Sequence, residues 1–354
     1  MSTWLLVSLE GFYIKKYKSL PGRRVFYLDT IDLKVLTNKE ILEEDLEQLR
    51  ELKMINGFKY GVHGKVFIVS FPRYFYYRSN AYLITKESEV QEVLKELKGS
   101  IKALGYQVEK EEILRGDYPF THNRPGLETF KGWGQIWRFL GLCAEVQGWK
   151  YKEIGQDGEI ETLIIQDTFR NKASKERIKI YNQALKLEVN GELELSLKEF
   201  PCLDTRSRIE VSQRIRREVK SFKRKILKEI KKTSYDLLEE IVFKSIPAAK
   251  ERAIKELENL LKEWREEKGS TFRLSTFIEA NKFKIYDFTI LREAIKRIYP
   301  GGSYRTVSKR AKKCIEEMEK RDGVYYQGNL KRIEQLRKEI KKESKISTVR
   351  SLDS

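Results

Sequence analysis

Apolar and polar residues alternate in several short stretches of the first 220 residues, which is the pattern of half-buried β-strands. The alternating stretches cover residues 4–10, 23–36, 58–71, 161–166, 177–181 and 206–214. Three other stretches predict helices: a charged helical pattern over residues 39–53, an amphipathic one over residues 86–104, and one rich in tryptophan and other apolar residues over residues 129–149. The first part of the chain therefore predicts a sheet with covering helices. Two further alternating runs lie within residues 185–197, around the turn signal Asn190-Gly191.

From about residue 221 the pattern changes to long charged stretches with helical periodicity. They cover residues 218–232, 234–267, 287–299, 303–320 and 329–344. The change predicts two domains, residues 1–220 and residues 221–354. The predicted fold class is α+β, with a mixed, mainly antiparallel sheet that carries helices on one face, followed by an α-helical C-terminal region. Within that region, residues 272–313 fit either a helix-turn-helix or solvated charged helices.

The chain of 354 residues carries a formal charge of +18, from 71 Lys and Arg against 53 Asp and Glu. An excess of this size favours an acidic polymer or surface as partner, and nucleic acid is the first candidate. The three cysteines stand far apart, so neither a zinc ribbon nor a disulfide framework is indicated. Residues 1–10 hold no basic leader, and no stretch reaches the roughly 18 apolar residues of a membrane span. We therefore expect an intracellular protein without membrane contact.

Tyr181 ends the alternating run Arg177-Ile-Lys-Ile-Tyr181. Because side chains alternate across a strand, the phenol shares a face with Arg177 and Lys179. A phenol beside two cations suits a phosphate substrate, so Tyr181 is a candidate nucleophile. In the next predicted strand, Arg208 and Glu210 also share one face. Arg208 is placed to neutralise a phosphate, and Glu210 to orient Tyr181 or to bind a metal.

The run Pro72-Arg-Tyr-Phe-Tyr-Tyr-Arg-Ser-Asn80 is both basic and aromatic. Grooves for single-stranded DNA combine aromatic rings with cations, because stacking contributes about 1–3 kcal/mol per base. The alternative is that every second ring belongs to the hydrophobic core. The predicted DNA contacts of this run are Arg73, Arg78 and Asn80.

Four short motifs follow one another along the chain. They are Val66–Asn80, Ile113-Leu-Arg-Gly-Asp117, Ile180-Tyr-Asn182 and Ser207-Arg-Ile-Glu-Val211. Their order resembles the rolling-circle replication initiators of filamentous phages, the gene II protein type, and their plasmid relatives. In that family, I-K-x-S-x-x-K…G-x-N is followed by I-S-R-I-D, then by a Y-x-K strand with the catalytic tyrosine, then by R-I/F-E. The resemblance covers roughly residues 1–220.

The resemblance implies an HUH-endonuclease-like sheet and a metal-dependent enzyme that nicks and rejoins DNA at a replication origin. Tyr181 would form a phosphotyrosine intermediate with the help of Arg208, and the cofactor would be Mg²⁺ or Mn²⁺. The residues expected to bind the metal are Asp117, Glu210 and His63. The further residues expected to contact DNA are Arg115, Arg177 and Lys179. The expected partners are single-stranded or cruciform origin DNA, with a host helicase and polymerase as additional candidates, in the cytoplasm of a bacterial host.

The sequence departs from the family pattern at three places. Val66-Phe-Ile68 stands where the family has a carboxylate that binds the metal, which is why His63 enters as a candidate ligand. Gln183 stands where the family has the lysine of Y-x-K, and Gly116 stands where it has the isoleucine of R-I-D.

Two other functions compete with nicking. One is a non-catalytic DNA-binding protein that controls plasmid or phage replication and keeps the initiator fold. The other is a tyrosine recombinase, which is disfavoured because the Arg…His-x-x-Arg constellation of such enzymes is not apparent. Tyr235 follows a basic run and is the competing candidate nucleophile.

Overall fold

The structure is a computed structural model. It describes residues 28–60, 64–75, 84, 87–124, 128–156, 158–167, 176–199, 203, 205–219, 224–299 and 301–345. The strand expected over residues 4–10 lies outside these residues, as do His63, Arg78 and Asn80.

One sheet of eight strands organises the first part of the chain. Its strands are β1 Thr30–Thr37, β2 Ile55–Tyr60, β3 Lys65–Ser70, β4 Val108–Asn123, β5 Lys150–Ile154, β6 Thr162–Gln166, β7 Arg177–Asn182 and β8 Arg206–Glu218. The strand order is β2-β3-β1-β4-β8-β7-β6-β5, and every neighbouring pair is antiparallel. The prediction of an α+β fold with a mainly antiparallel sheet is confirmed, whereas the expected mixture of parallel and antiparallel pairs is wrong for the described sheet, which contains no parallel pair.

Helices lie between the strands in the first part of the chain, and the described second part is helical. They are α1 Glu43–Arg50, α2 Phe71–Phe75, α3 Glu87–Ala103, α4 Gly134–Val146, α5 Gln183–Val189, α6 Leu193–Glu199, α7 Arg224–Ile241, α8 Ile246–Lys268, α9 Leu274–Ala280, α10 Phe288–Ile298, α11 Ser303–Asp322 and α12 Asn329–Lys345. The helical character predicted for the C-terminal region is confirmed. The first break in that region lies at residues 242–245 rather than near residue 233.

The two faces of the sheet differ because apolar and polar residues alternate along each strand. On one face, Leu33 lies opposite Phe67, Phe120 opposite Ile209, and all four are buried. Helices α3, α4, α7 and α12 pack against the strands and so help to cover the apolar core. Burying each large apolar side chain contributes about 1.5–3 kcal/mol, which fixes the register of the strands. The register in turn fixes which polar residues meet on the other face.

The C-terminal helices share one core with the sheet. Buried residues of α4, α8, α10 and α12 belong to the same apolar cluster as the strands. At the end of β4, His122 is buried on the apolar side of the sheet, where its ring packs on Trp133 at 4.9 Å between centroids. Its Nδ1 contacts the Oε2 atom of Glu339 on α12 at 2.5 Å. His122 therefore joins the C-terminal helix to the sheet and does not face the polar side.

The prediction of strand-like runs over residues 185–197 is wrong. These residues form α5 and α6, while Gly191 does make the predicted turn, with φ of +70°. Asn182 caps α5, because its side chain accepts a hydrogen bond from the backbone N–H of Ala184. The leucines pack in a small cluster of their own, made of Leu187, Leu193, Leu197 and Leu203. Leucines at this spacing fit a helical pair as well as a hairpin, and the cap decides for the helix.

Candidate functional site

Strands β7 and β8 bring the predicted catalytic residues together. Tyr181 lies directly opposite Arg208, and Lys179 lies directly opposite Glu210. Side chains at paired positions of an antiparallel ladder share a face and lie about 5 Å apart at Cβ. The phenol, the guanidinium and the carboxylate predicted to act together therefore share the polar face.

The hydroxyl of Tyr181 is held by charged groups. It donates a hydrogen bond to Oε1 of Glu210, and the Nζ atom of Lys186 lies 3.5 Å from it. The ammonium groups of Lys179 and Lys186 also lie over the ring, at 4.8 and 4.7 Å from its centroid. The side chain of Tyr181 is only 2% exposed. Burial therefore raises the pKa of the phenol well above its ordinary value, and the charge of Glu210 raises it further.

Sequence reasoning missed Lys186. The family pattern places a lysine two residues after the tyrosine, where this chain has Gln183, which is buried and accepts a hydrogen bond from Arg206 at 3.4 Å. Because residues 183–189 form a helix, the chain turns back, and Lys186 reaches the hydroxyl of Tyr181. A lysine five residues beyond the tyrosine would point to this role only if the helix had been predicted.

Asp29 is the second residue that sequence reasoning missed. It is buried just before β1, and its Oδ1 lies 3.5 Å from Nη2 of Arg208. Its carboxyl is also within hydrogen-bonding reach of Glu210. Burial raises the pKa of Asp29 to about 7, against the opposing attraction of Arg208. The only sequence signal was a carboxylate within the alternating stretch of residues 23–36.

The pKa of Glu210 is lowered, in contrast to that of Asp29. Burial opposes its ionisation, but Lys186, Arg208 and Lys179 outweigh burial and lower the pKa of Glu210 to about 2. Arg208 is fully buried, with Nε at 3.7 Å from Oε1 of Glu210. Two neighbouring carboxyl groups thus differ in protonation near neutral pH, because their surroundings move their pKa values in opposite directions.

Asp117, predicted as a metal ligand, is buried on β4 on the same face. It pairs with Ser212 of β8, two positions from Glu210. Burial raises the pKa of Asp117, while Arg115 counteracts it. Arg115 lies 3.4 Å from Asp117 and 3.6 Å from Asp32, so this predicted DNA contact is also a partner of two carboxylates.

A polar cleft of about 260 Å³ opens beside the tyrosine. Its lining residues are Asp29, Thr30, Asn56, Ser70, Arg73, Lys186, Asn190 and Glu192. Arg73, a predicted DNA contact, donates a hydrogen bond to Asn56 and lies 3.9 Å from Glu192. Lys186 lines the cleft and also contacts the hydroxyl of Tyr181, so this one side chain connects the two.

Three predicted DNA contacts keep unused hydrogen-bond donors. The Nε atoms of Arg73, Arg115 and Arg177 are buried, and none finds a hydrogen-bond partner within the described part of the chain. A buried donor without a partner costs about 1–3 kcal/mol. For Arg115 this donor lies 3.6 Å from Oδ2 of Asp32, within ion-pair distance but beyond hydrogen-bond distance.

The predicted metal site depends on the carboxylates of Asp117 and Glu210. The described ranges contain no group of three or more His, Cys, Asp or Glu side chains placed to hold an ion. Mg²⁺ however often binds through one or two carboxylates together with water and substrate phosphates. Glu210 and Asp117 share the polar face, and Oδ1 of Asp117 accepts no hydrogen bond from a described residue. Two carboxylates on one face are thus present, and a substrate phosphate and water would have to supply the remaining oxygens of such a site.

The competing nucleophile Tyr235 has other surroundings. It lies on α7, and its hydroxyl donates a hydrogen bond to Glu239, one turn along the same helix, at 3.0 Å. Glu239 is also paired with Arg337 of α12. Burial and this hydrogen bond raise the pKa of Tyr235 to about 12. These contacts account for Tyr235 as part of the packing between two helices.

No protein-family model and no curated protein matches this sequence. Among the described helices, none is both long and apolar enough to span a bilayer. The relation to rolling-circle initiators remains a prediction that rests on the four motifs.

Proposed function

We propose that the chain is a replication initiator that nicks and rejoins one DNA strand at an origin through Tyr181. The observation that carries the proposal is the hydrogen bond from Tyr181 to Glu210, surrounded by Arg208, Lys186 and Lys179. Three cations around one phenol attract an incoming phosphodiester, and Arg208 partly offsets the burial and the charge of Glu210 that raise the pKa of the phenol. The four motifs in family order support the same function.

In the proposed reaction, the oxygen of Tyr181 attacks the phosphorus of a phosphodiester. The phenolic proton passes to Glu210 as the new O–P bond forms, and the bond from phosphorus to O3′ breaks. The products are a 5′-phosphotyrosyl enzyme and a 3′-hydroxyl that can prime synthesis. Attack by a 3′-hydroxyl on the phosphotyrosine reverses the step and rejoins the strand.

Asp29 is the proposed acid for the leaving oxygen. With a pKa of about 7, it keeps its proton in a large part of the molecules near neutral pH, and it lies beside Glu210. A proton that Asp29 gives to O3′ balances the proton that Glu210 receives from Tyr181, so the charge of the carboxyl pair does not change. This division of roles follows the rule that paired groups with separated pKa values act as acid and base.

The proposed path of the DNA strand follows the polar face into the cleft. Arg177 and Arg115 would contact phosphates across the sheet, while Arg73 and Lys186 would hold the nucleotide next to the scissile phosphate in the cleft. The proposed partner is single-stranded or cruciform origin DNA, with helicase and polymerase of a bacterial host acting afterwards in its cytoplasm.

The proposed cofactor is Mg²⁺ or Mn²⁺. Asp117 and Glu210 would hold the ion together with the substrate phosphate, and the ion would polarise the phosphate oxygen.

The test is a covalent-adduct assay with full-length protein and a panel of labelled single-stranded and supercoiled origin candidates. Tyr181→Phe is expected to keep the fold and DNA affinity while losing both nicking and the denaturant-resistant adduct, since only one hydroxyl is removed. Tyr235→Phe is the matched control and is expected to retain both. An adduct that persists in Tyr181→Phe and disappears in Tyr235→Phe would show that the nucleophile has been assigned to the wrong residue.

A second function is favoured by one observation. Tyr181 is 2% exposed and its pKa is raised well above the ordinary value, which are properties of a structural tyrosine. A non-catalytic DNA-binding protein that controls replication would have these properties. Tight DNA binding by the wild-type protein without nicking or adduct, across the whole panel and with Mg²⁺ or Mn²⁺ present, would favour this second function.

A further inference from the structure

Charge is unevenly distributed along helix α11. Its first eleven residues, Ser303–Lys313, carry five cations and no carboxylate, whereas four carboxylates follow between Glu316 and Asp322. The helix also begins without an acidic residue in its first turn and without a side-chain cap on Gly302. Helix dipoles favour the opposite order, with carboxylates first and cations last. The first half of α11 therefore carries a charge pattern that does not serve the stability of the helix.

The spacing of these cations also disfavours the helix. Arg305, Lys309 and Lys313 stand four residues apart, so each repels the next on the same side of the helix. Helix α8 shows the favourable alternative, with Glu258 and Lys262 at the same spacing and 2.6 Å apart. Within the described residues, Arg305, Lys309, Arg310 and Lys313 make no ion pair, although Lys312 lies 3.5 Å from Glu316.

The fold holds this basic face outward. The opposite side of α11 is buried through Ala311, Ile315 and Met318, and the helix packs on α9 and α10. Helix α10 ends at Ile298, so only four residues precede α11, and Gly301 adopts φ of +71° there. Two packed helices joined by a short glycine-containing turn have the connection length of a helix-turn-helix, and the second helix exposes cations as a recognition helix does.

We propose that the basic face of α11, formed by Arg305, Lys309, Arg310 and Lys313, binds double-stranded DNA. An α-helix with its side chains is about 10–12 Å across, which fits the roughly 12 Å width of the major groove, and the cations from Arg305 to Lys313 extend about 12 Å along the helix. The major groove of double-stranded RNA is too deep and narrow for side chains to read. A membrane-surface helix would need an exposed apolar face, and the apolar side of α11 is already buried. This binding site is separate from the cleft at Tyr181 and does not depend on nicking.

The experiment compares two triple variants of the full-length protein. The test variant is Arg305→Gln/Lys309→Gln/Lys313→Gln. The control variant is Lys53→Gln/Lys95→Gln/Lys102→Gln, which removes the same charge from exposed positions on other elements. Fluorescence anisotropy measures binding to a mixed-sequence 30-base-pair duplex and to a single strand of the same length, between about 50 and 200 mM salt, the range over which counterion release changes affinity strongly.

For the test variant, the slope of log K against log salt on duplex DNA should become shallower by about 3, since each lost phosphate contact reduces it by about 1. Its affinity for the single strand should stay within about twofold of the control, because the single strand binds elsewhere. Circular dichroism should be unchanged. An unchanged duplex slope, or an equal loss in the control variant, would overturn the proposal. So would a loss of binding only to double-stranded RNA or to anionic vesicles, tested in parallel.

Discussion

Replacing Asp29 by asparagine is expected to stabilise the protein at high pH and to have little effect at low pH. The folded-state pKa of Asp29 is raised from 3.8 to about 7, chiefly by burial. A raised carboxyl pKa means that the folded protein binds more protons than the unfolded chain, so stability falls as pH rises between these values. Protonated aspartate and asparagine are close in size and both are neutral. The variant should therefore match the wild type near pH 4 and exceed it above pH 7.

The size of the stabilisation follows from the pKa shift of Asp29. Each pKa unit corresponds to about 1.4 kcal/mol. The difference in free energy of unfolding between Asp29→Asn and the wild type should therefore increase by about 1.4 kcal/mol per pH unit. The gain should begin near pH 4 and level off near pH 7 at about 4 kcal/mol, which corresponds to a rise of several degrees in Tm. The attraction between Asp29 and Arg208 is already contained in the shifted pKa, because it opposes the effect of burial.

Urea unfolding followed by circular dichroism at pH 4, 5, 6, 7 and 8 measures the difference. Asp236→Asn is the control, because it removes the same charge from an exposed position on α7. The free energy of unfolding of this control, plotted against pH, should run parallel to that of the wild type. If the curves for Asp29→Asn and wild type also run parallel, Asp29 does not carry a raised pKa and the proposed acid is wrong. Under the proposed mechanism the same variant should nick more slowly, since an amide gives no proton to O3′.

Two further predictions concern the metal and the DNA. Asp117→Ala and Glu210→Ala should each abolish Mn²⁺-dependent nicking while leaving DNA affinity largely intact, and unchanged nicking in both variants would refute the metal assignment. For single-stranded DNA and the wild-type protein, log K should fall with log salt at a slope of about −0.7 per neutralised phosphate, as measured by anisotropy at several salt concentrations. A flat profile would contradict the phosphate contacts inferred for the polar face.

The strands and the faces could be predicted because their signal is local. Alternation along residues 177–181 and 206–214 determined which side chains share a face, and the observed register places Tyr181 opposite Arg208. The covering helix α3 was predicted because one side of it is apolar, and α4 because its sequence is rich in large apolar residues, which bury it on nearly all sides. Such patterns need no knowledge of distant parts of the chain.

Asp29 and Lys186 could not be predicted, because their roles depend on tertiary structure. Asp29 reaches the site only because β1 and β8 both flank β4 in the sheet, and the two strands are far apart in sequence. Lys186 reaches it because Asn182 starts a helix where alternation predicted a strand. A strand in place of α5 would carry Lys186 away from Tyr181. The prediction was thus weakest where a capping side chain overrides the alternating pattern.

The burial of Tyr181 and the proposed nicking are compatible only if DNA itself opens the site. Lys186 stands between the cleft and the hydroxyl of Tyr181, and its ammonium group can pair with Glu210 or with a phosphate in the cleft. A phosphate that draws Lys186 into the cleft would expose the hydroxyl and would reduce the positive charge that keeps the pKa of Glu210 low. Glu210 would then become a stronger base at the moment when the substrate arrives. In the free protein, burial and the charge of Glu210 hold the phenol protonated, so cleavage would begin only on bound DNA.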